Sequence, residues 1–154
     1  MATSSARPGW LVLSAFGDLA IAFLHVAIVA VGPRAYIYFG AASLAEPARR
    51  GELWPAGLTL TIAIVFAIWG CYALAGAGVL PRVPLLRTVL VLVSALYLLR
   101  GLIVIPDLIR LCTGAGYPPQ QTVFSASALA LGLTHSLGTR HLFRRTIPST
   151  TSVA

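Results

Sequence analysis

Four long apolar stretches run along this chain, and glycine or proline punctuates the connections between them. The first covers residues 10–31 and stops at Gly32-Pro33, where proline cannot continue a helix. The second covers about residues 54–77 and is followed by Gly78, Pro81 and Pro84. The third covers about residues 85–105, where Pro106 kinks or ends it. The fourth covers about residues 121–138, after Gly114, Gly116, Pro118 and Pro119. Each is close to the roughly 20 residues that cross about 30 Å of hydrocarbon as a helix. The expectation is therefore an all-α polytopic membrane protein, a four-transmembrane-helix bundle forming a single membrane domain over residues 1–154.

The first run competes with a cleaved signal peptide. It is longer than an ordinary signal-peptide apolar region and contains Asp18 and His25, so a membrane span is the better reading. Residues 32–53 form a long connection. Tyr36, Tyr38, Phe39 and Trp54 suit the headgroup layer, and Ser43 with Glu46 fits a capping box for a short helix through Arg50. In the second run Ala63, Ala67 and Cys71 recur at four-residue steps, as do Gly57 and Thr61 before them, a spacing that permits close helix contact. The fourth run is rich in Ala, Ser, Gly and Thr and is expected to face protein rather than lipid. Residues 140–154 read as a basic, then Ser/Thr-rich tail.

Composition agrees with the patterning. The hydrophobic share is 58% and the charged share only 10%, too little polar material to clothe a soluble domain of 154 residues. All eleven basic residues are arginine, the net charge is +7, and the arginines flank the apolar runs. That distribution marks a lipid bilayer partner and argues against nucleic acid. Arg7, Arg82, Arg87, Arg140, Arg144 and Arg145 fall on one side. Arg34, Arg49, Arg50 and Arg110 fall on the other. The positive-inside rule then places both termini in the cytoplasm of a cell with an inner membrane.

Ionisable side chains inside spans are costly and rank as functional candidates. They are Asp18, His25, Arg100 and His135, with Asp107 and His141 at boundaries. For the boundary pair the ordinary roles are an N-cap for Asp107 and a headgroup contact for His141. Helical rise puts Asp18 about 12 Å and His135 about 5–10 Å from the cytoplasmic face, with His25 and Arg100 both about 22 Å deep. Asp18 and His135 thus share an inner layer, and His25 and Arg100 an outer one.

Ser14, Gly17 and Ala22 lie near the face of Asp18. Ser94, Tyr97 and Gly101 accompany Arg100, and Ser125, Ala128, Gly132 and Thr139 accompany His135. Three polar stripes are expected to converge on one axis, where Arg100 can reach toward Asp18. Such a network either fixes helix register or forms a ligand-binding or proton-handling site.

Catalytic and cofactor signatures are missing: there is no GxSxG, HExxH or P-loop, and no lysine for Schiff-base chemistry. The two histidines lie at different depths, which weighs against bis-histidine haem ligation. No metal site or cofactor is assigned. Cys71 and Cys112 read as small apolar packing residues, about 25 Å apart in depth and not bonded to one another.

The stretches HVAIVAVGPRAYIYFGA (25–41) and LYLLRGLIVIPDL (96–108), with the four-span layout, resemble small uncharacterised bacterial inner-membrane proteins. The layout is similar in outline to the DoxX group. That resemblance implies an α-helical bundle, and no functional residue is carried over from it. The leading expectation is a non-enzymatic membrane protein that binds a small ligand or membrane-protein partner through Asp18, His25, Arg100 and His135. A structural accessory subunit and a quinone-linked redox component are the alternatives.

Overall fold

A computed structural model describes residues 9–114 and 118–144. It is all-helical, with no strand among the described residues. The elements are α1 (Gly9–Val31), α2 (Pro33–Tyr38), α3 (Ala42–Arg49), α4 (Trp54–Gly76), α5 (Leu86–Gly101), α6 (Val104–Cys112) and α7 (Pro119–Arg144). Three segments are long and apolar enough to cross a membrane: α1, α4, and α5 continued through α6 as Leu86–Cys112. The protein is therefore a multi-pass membrane protein. Helix α7 has 26 residues, about 39 Å of helix, but its average is diluted by an inward polar stripe and a basic last turn.

The helix ends follow local chemistry. Gly32 takes φ 79°, a left-handed conformation that costs glycine nothing, and its N–H bonds the Ile28 carbonyl. Pro33 then opens α2 at a position that needs no N–H donor. The third span breaks earlier than Pro106, at Leu102–Ile103. The proline ring clashes with the carbonyl four residues back, which is Leu102, so the disruption lands one turn upstream. Asp107 accordingly sits in the first turn of α6 and is not an N-cap, as Ile103 holds that position. The capping box at Ser43 does not form either. Ala41 precedes α3 and Glu46 pairs with Arg49 at 3.2 Å.

Helix α1 packs on α4 and α7, and α5 packs on α7 and α4, with a smaller direct contact between α4 and α7. At one end a core of Leu11, Ala15, Ala73, Ala77 and Leu90 closes the contact. At the other, α2 and α3 fold over the end of α1 through Ile28, Ala35, Tyr36 and Ala45. The buried stripe of α4 is Pro55, Thr59, Ala63, Gly70 and Ala73. Gly57, Thr61 and Cys71 face outward, so the expected small-residue seam is shifted in register.

Polarity is distributed inside-out. Phe16, Phe23, Ile64 and Leu99 are among the large apolar side chains pointing outward, whereas Ser14, Asp18, Ser94, Ser125, His135 and Thr139 are buried. A lipid solvent accepts the former, and polar groups away from it find partners in the interior. Close approach of α5 and α7 depends on two glycines. A Cβ at Gly132 would lie 2.8 Å from the Leu98 backbone nitrogen, and one at Gly101 would lie 2.5 Å from Cα of Leu129.

Candidate functional site

The inner stripe of α7 comprises Thr122, Ser125, Ala128, Gly132, His135, Gly138 and Thr139, spaced three or four apart. It faces Ser14 and Asp18 on α1, and Ser94 and Tyr97 on α5. Gly17 removes the side chain next to Asp18, and Leu131 of α7 fills that space.

Asp18 is completely buried, and both of its carboxylate oxygens are used. The Tyr97 hydroxyl donates to Oδ1 at 2.7 Å, and His135 Nε2 lies 3.0 Å from Oδ2. With Asp18 ionised, the histidine donates through Nε2–H. Two donors to one carboxylate are charge-assisted hydrogen bonds, the stronger class. Tyr97 and His135 also stack on one another, with ring centroids 5.5 Å apart. On α4, Trp69 packs edge-on against Tyr97, and Phe66 lies tilted beside the same ring. Among the described residues no group bonds the second ring nitrogen of His135, Nδ1, which is itself buried.

Hydroxyls continue from this centre toward the end where α1 begins. Ser14 lies one turn before Asp18 and donates to Thr134 at 3.0 Å. Thr139 lies one turn beyond His135, buried.

A second polar cluster stands at the opposite end of the α7 stripe. The Ser125 hydroxyl donates to Asp107 Oδ2 at 2.6 Å, and Arg100 Nη1 donates to the same hydroxyl at 2.8 Å. Asp107 is buried while Arg100 is exposed. The serine thus couples a buried carboxylate to a cation at the surface.

Comparison with known proteins brings no match: no family model, no curated protein and no solved structure is similar to this chain.

The structure therefore brings Asp18 and His135 together and separates the other two candidates from them. Arg100 turns to Ser125 and the Asp107 cluster instead of Asp18. Its position one turn past Tyr97, on the side where α5 ends and α6 begins, gives it a nearer acid. His25 stays on its own helix. Its Nδ1 lies 2.8 Å from the Ile21 carbonyl and its ring packs on Phe66. Tyr97 and Asp107 belong to the two clusters although the sequence offered them only as a stripe member and a boundary residue. For Asp107, its place as one of only four carboxyl side chains in the chain was the available signal. Among the described residues no three His, Cys, Asp or Glu side chains gather as a metal site would require.

Proposed function

We propose that this is a four-span inner-membrane protein, with both termini cytoplasmic, that holds and releases a proton at an internal Asp18–Tyr97–His135 centre. The observation that carries this reading is the state of His135: one ring nitrogen engages a buried carboxylate, and the other is a buried basic position with no hydrogen-bond partner among the described residues. A proton added to Nδ1 would create an imidazolium directly beside Asp18. Tyr97 would hold the carboxylate in place throughout, through its bond to the other oxygen. Ser14, Thr134 and Thr139 supply hydroxyls between the centre and the arginine-flanked end. Imidazole is the side chain whose ordinary titration falls nearest neutrality.

The fourth span is α7. Its length supports a crossing, its outward side chains include Val123, Leu133 and Leu137, and its polar residues face α1 and α5. Arg82, Arg87, Arg140 and Arg144 cluster at one end of the helices and support a cytoplasmic assignment for it. In this reading the ligand or partner expected of the polar interior is a proton, and His25 and Arg100 stand outside the centre.

The test is infrared difference spectroscopy of the protein in lipid vesicles, stepped between mildly acidic and mildly alkaline pH. Carboxyl and imidazole bands that respond to the step and vanish in Asp18→Asn and His135→Gln are the expected outcome. If no such band responds while the protein stays folded, the three side chains only fix helix register and the proposal falls.

A further inference from the structure

Among the described residues, the end of the molecule at which α1 starts and α7 finishes carries arginines and no acidic side chain. The chain has four acidic side chains, Asp18, Glu46, Glu52 and Asp107. Asp18 is internal, and Glu46 and Glu52 are paired to Arg49 and Arg50 beyond the far end of α1. Asp107 belongs to the cluster at that same far end. No acidic side chain is therefore left to neutralise Arg82, Arg87, Arg140 and Arg144.

From this basic end a cavity of about 280 Å³ runs between α5 and α7. Its walls include Arg140 and Phe143 at the mouth, Thr139 below them, and Val91, Ala95 and Leu98 along α5. Val91 to Leu98 spans about 10 Å of helix, so the groove descends well into the apolar zone. Arg87 stands over one wall of that mouth, its guanidinium 5.2 Å from the centre of the Phe143 ring. Thr139, whose own hydroxyl is buried, lines the groove between the charged and apolar parts.

We propose that this groove holds one anionic phospholipid. Its phosphate sits between Arg87 and Arg140, and an acyl chain lies along Val91, Ala95 and Leu98. The assignment rests on matched polarity along one line: guanidinium groups at the mouth, then aliphatic wall. Arginine binds phosphate through its planar fork, and pockets of basic residues between membrane helices suit anionic headgroups. A zwitterionic lipid fits the same groove but places a cation beside two arginines. The inference uses the membrane setting and none of Asp18, Tyr97 and His135, so each can fail alone.

The experiment is native mass spectrometry of the full chain released from detergent. The protein is equilibrated with phosphatidylglycerol, with phosphatidylcholine or with inorganic phosphate. Phosphatidylglycerol should stay bound several-fold more than phosphatidylcholine, and inorganic phosphate should not displace it. Arg87→Gln with Arg140→Gln should abolish that preference. Ala95→Phe, which fills the groove at an exposed position and leaves the charge alone, should lower retention of both lipids. Arg49→Gln with Arg50→Gln should change nothing. Equal retention of the two lipids, displacement by phosphate, an unaffected Ala95→Phe variant, or equal loss in the Arg49/Arg50 variant would each overturn the proposal.

Discussion

Tyr97 and His135 stack with their rings 20° from parallel, and each reaches a different oxygen of the same carboxylate, Asp18. One ring comes from α5 and the other from α7, so a single side chain on α1 ties three helices together. Phe66 and Trp69 on α4 pack against the Tyr97 ring.

The Asp18–His135 contact should appear as non-additivity. Asp18→Asn, His135→Gln and the double variant, unfolded in lipid or bicelles, should show a coupling of about 0.5–3 kcal/mol. The double variant is expected to lose less than the two single losses together. Strict additivity would deny that the groups meet.

Tyr97→Phe preserves the ring stacked on His135 and removes one donor to Asp18. It should lower stability by about 1–3 kcal/mol, the usual range for leaving a buried acceptor short of a partner. Because the ring is retained, far-UV circular dichroism of the folded variant should be unchanged. A variant as stable as the parent would mean that the hydroxyl contributes nothing to holding Asp18.

At the second cluster, Ser125→Ala removes the hydroxyl that links Asp107 to Arg100. Arg100→Gln leaves the buried Ser125–Asp107 bond intact and alters an exposed side chain. Thermal unfolding should therefore rank Ser125→Ala as the more damaging of the two, by about 1 kcal/mol or more. The reverse order would show that the Arg100 contact, and not the serine–carboxylate bond, holds this cluster together.

The glycines of α5 and α7 should respond unlike the exposed one in α4. Gly132→Ala puts a methyl against the backbone of Leu98, which has no side-chain freedom with which to yield, and should cost about 1–3 kcal/mol. Gly57→Ala meets nothing within 4 Å and removes a helix-weakening residue, for a gain of up to about 1 kcal/mol. Chemical denaturation of both variants in one detergent checks the contrast, and similar responses would remove the steric argument.

Cys71 and Cys112 are both free and exposed, on α4 and at the end of α6. Cys71 stands 17 residues beyond the start of α4, about 25 Å along its axis, and so toward the opposite end from Cys112. Non-reducing peptide mapping should recover each thiol unlinked, and maleimide should label both in detergent. A recovered Cys71–Cys112 bridge would be incompatible with this helix arrangement.

The four-span topology is open to direct assay. Reporter fusions after Ala42 should report the periplasm, and fusions after Gly78 the cytoplasm. A fusion after Gly114 should again read periplasmic, and one after Arg144 cytoplasmic. An identical signal after Gly114 and Arg144 would mean that α7 does not cross.

The helical segments were legible in the chain itself because lipid imposes a local rule. A run of about 20 apolar residues must satisfy its own backbone, and a helix does so without help from distant residues. Gly32-Pro33 ended α1 where the sequence said it would, for an equally local reason: proline cannot continue the ladder. The inward set Ser125, Ala128, Gly132, His135 and Thr139 was also readable, since a period of three to four residues defines one face. So was the shared depth of Asp18 and His135, because axial position follows from counting at a fixed rise.

Rotation and lateral neighbour are different quantities, and only packing decided them. Arg100 had the length to reach Asp18, but the break at Leu102–Ile103 returned Asp107 to its side, and Ser125 completed that cluster. His25 shares a helix face with Asp18 by spacing, yet its ring nitrogen found the Ile21 carbonyl one turn away. The outward turn of Cys71 and Thr61 came from the fit of Ala63 and Gly70 against α1, where steric contact selects one register among several small-residue stripes. Tyr97 became the second donor to Asp18 because Gly101 and Gly132 let α5 and α7 close together. A sequence fixes how far along a helix each polar group lies, but which of them meet depends on side-chain volumes contributed by all four long helices at once.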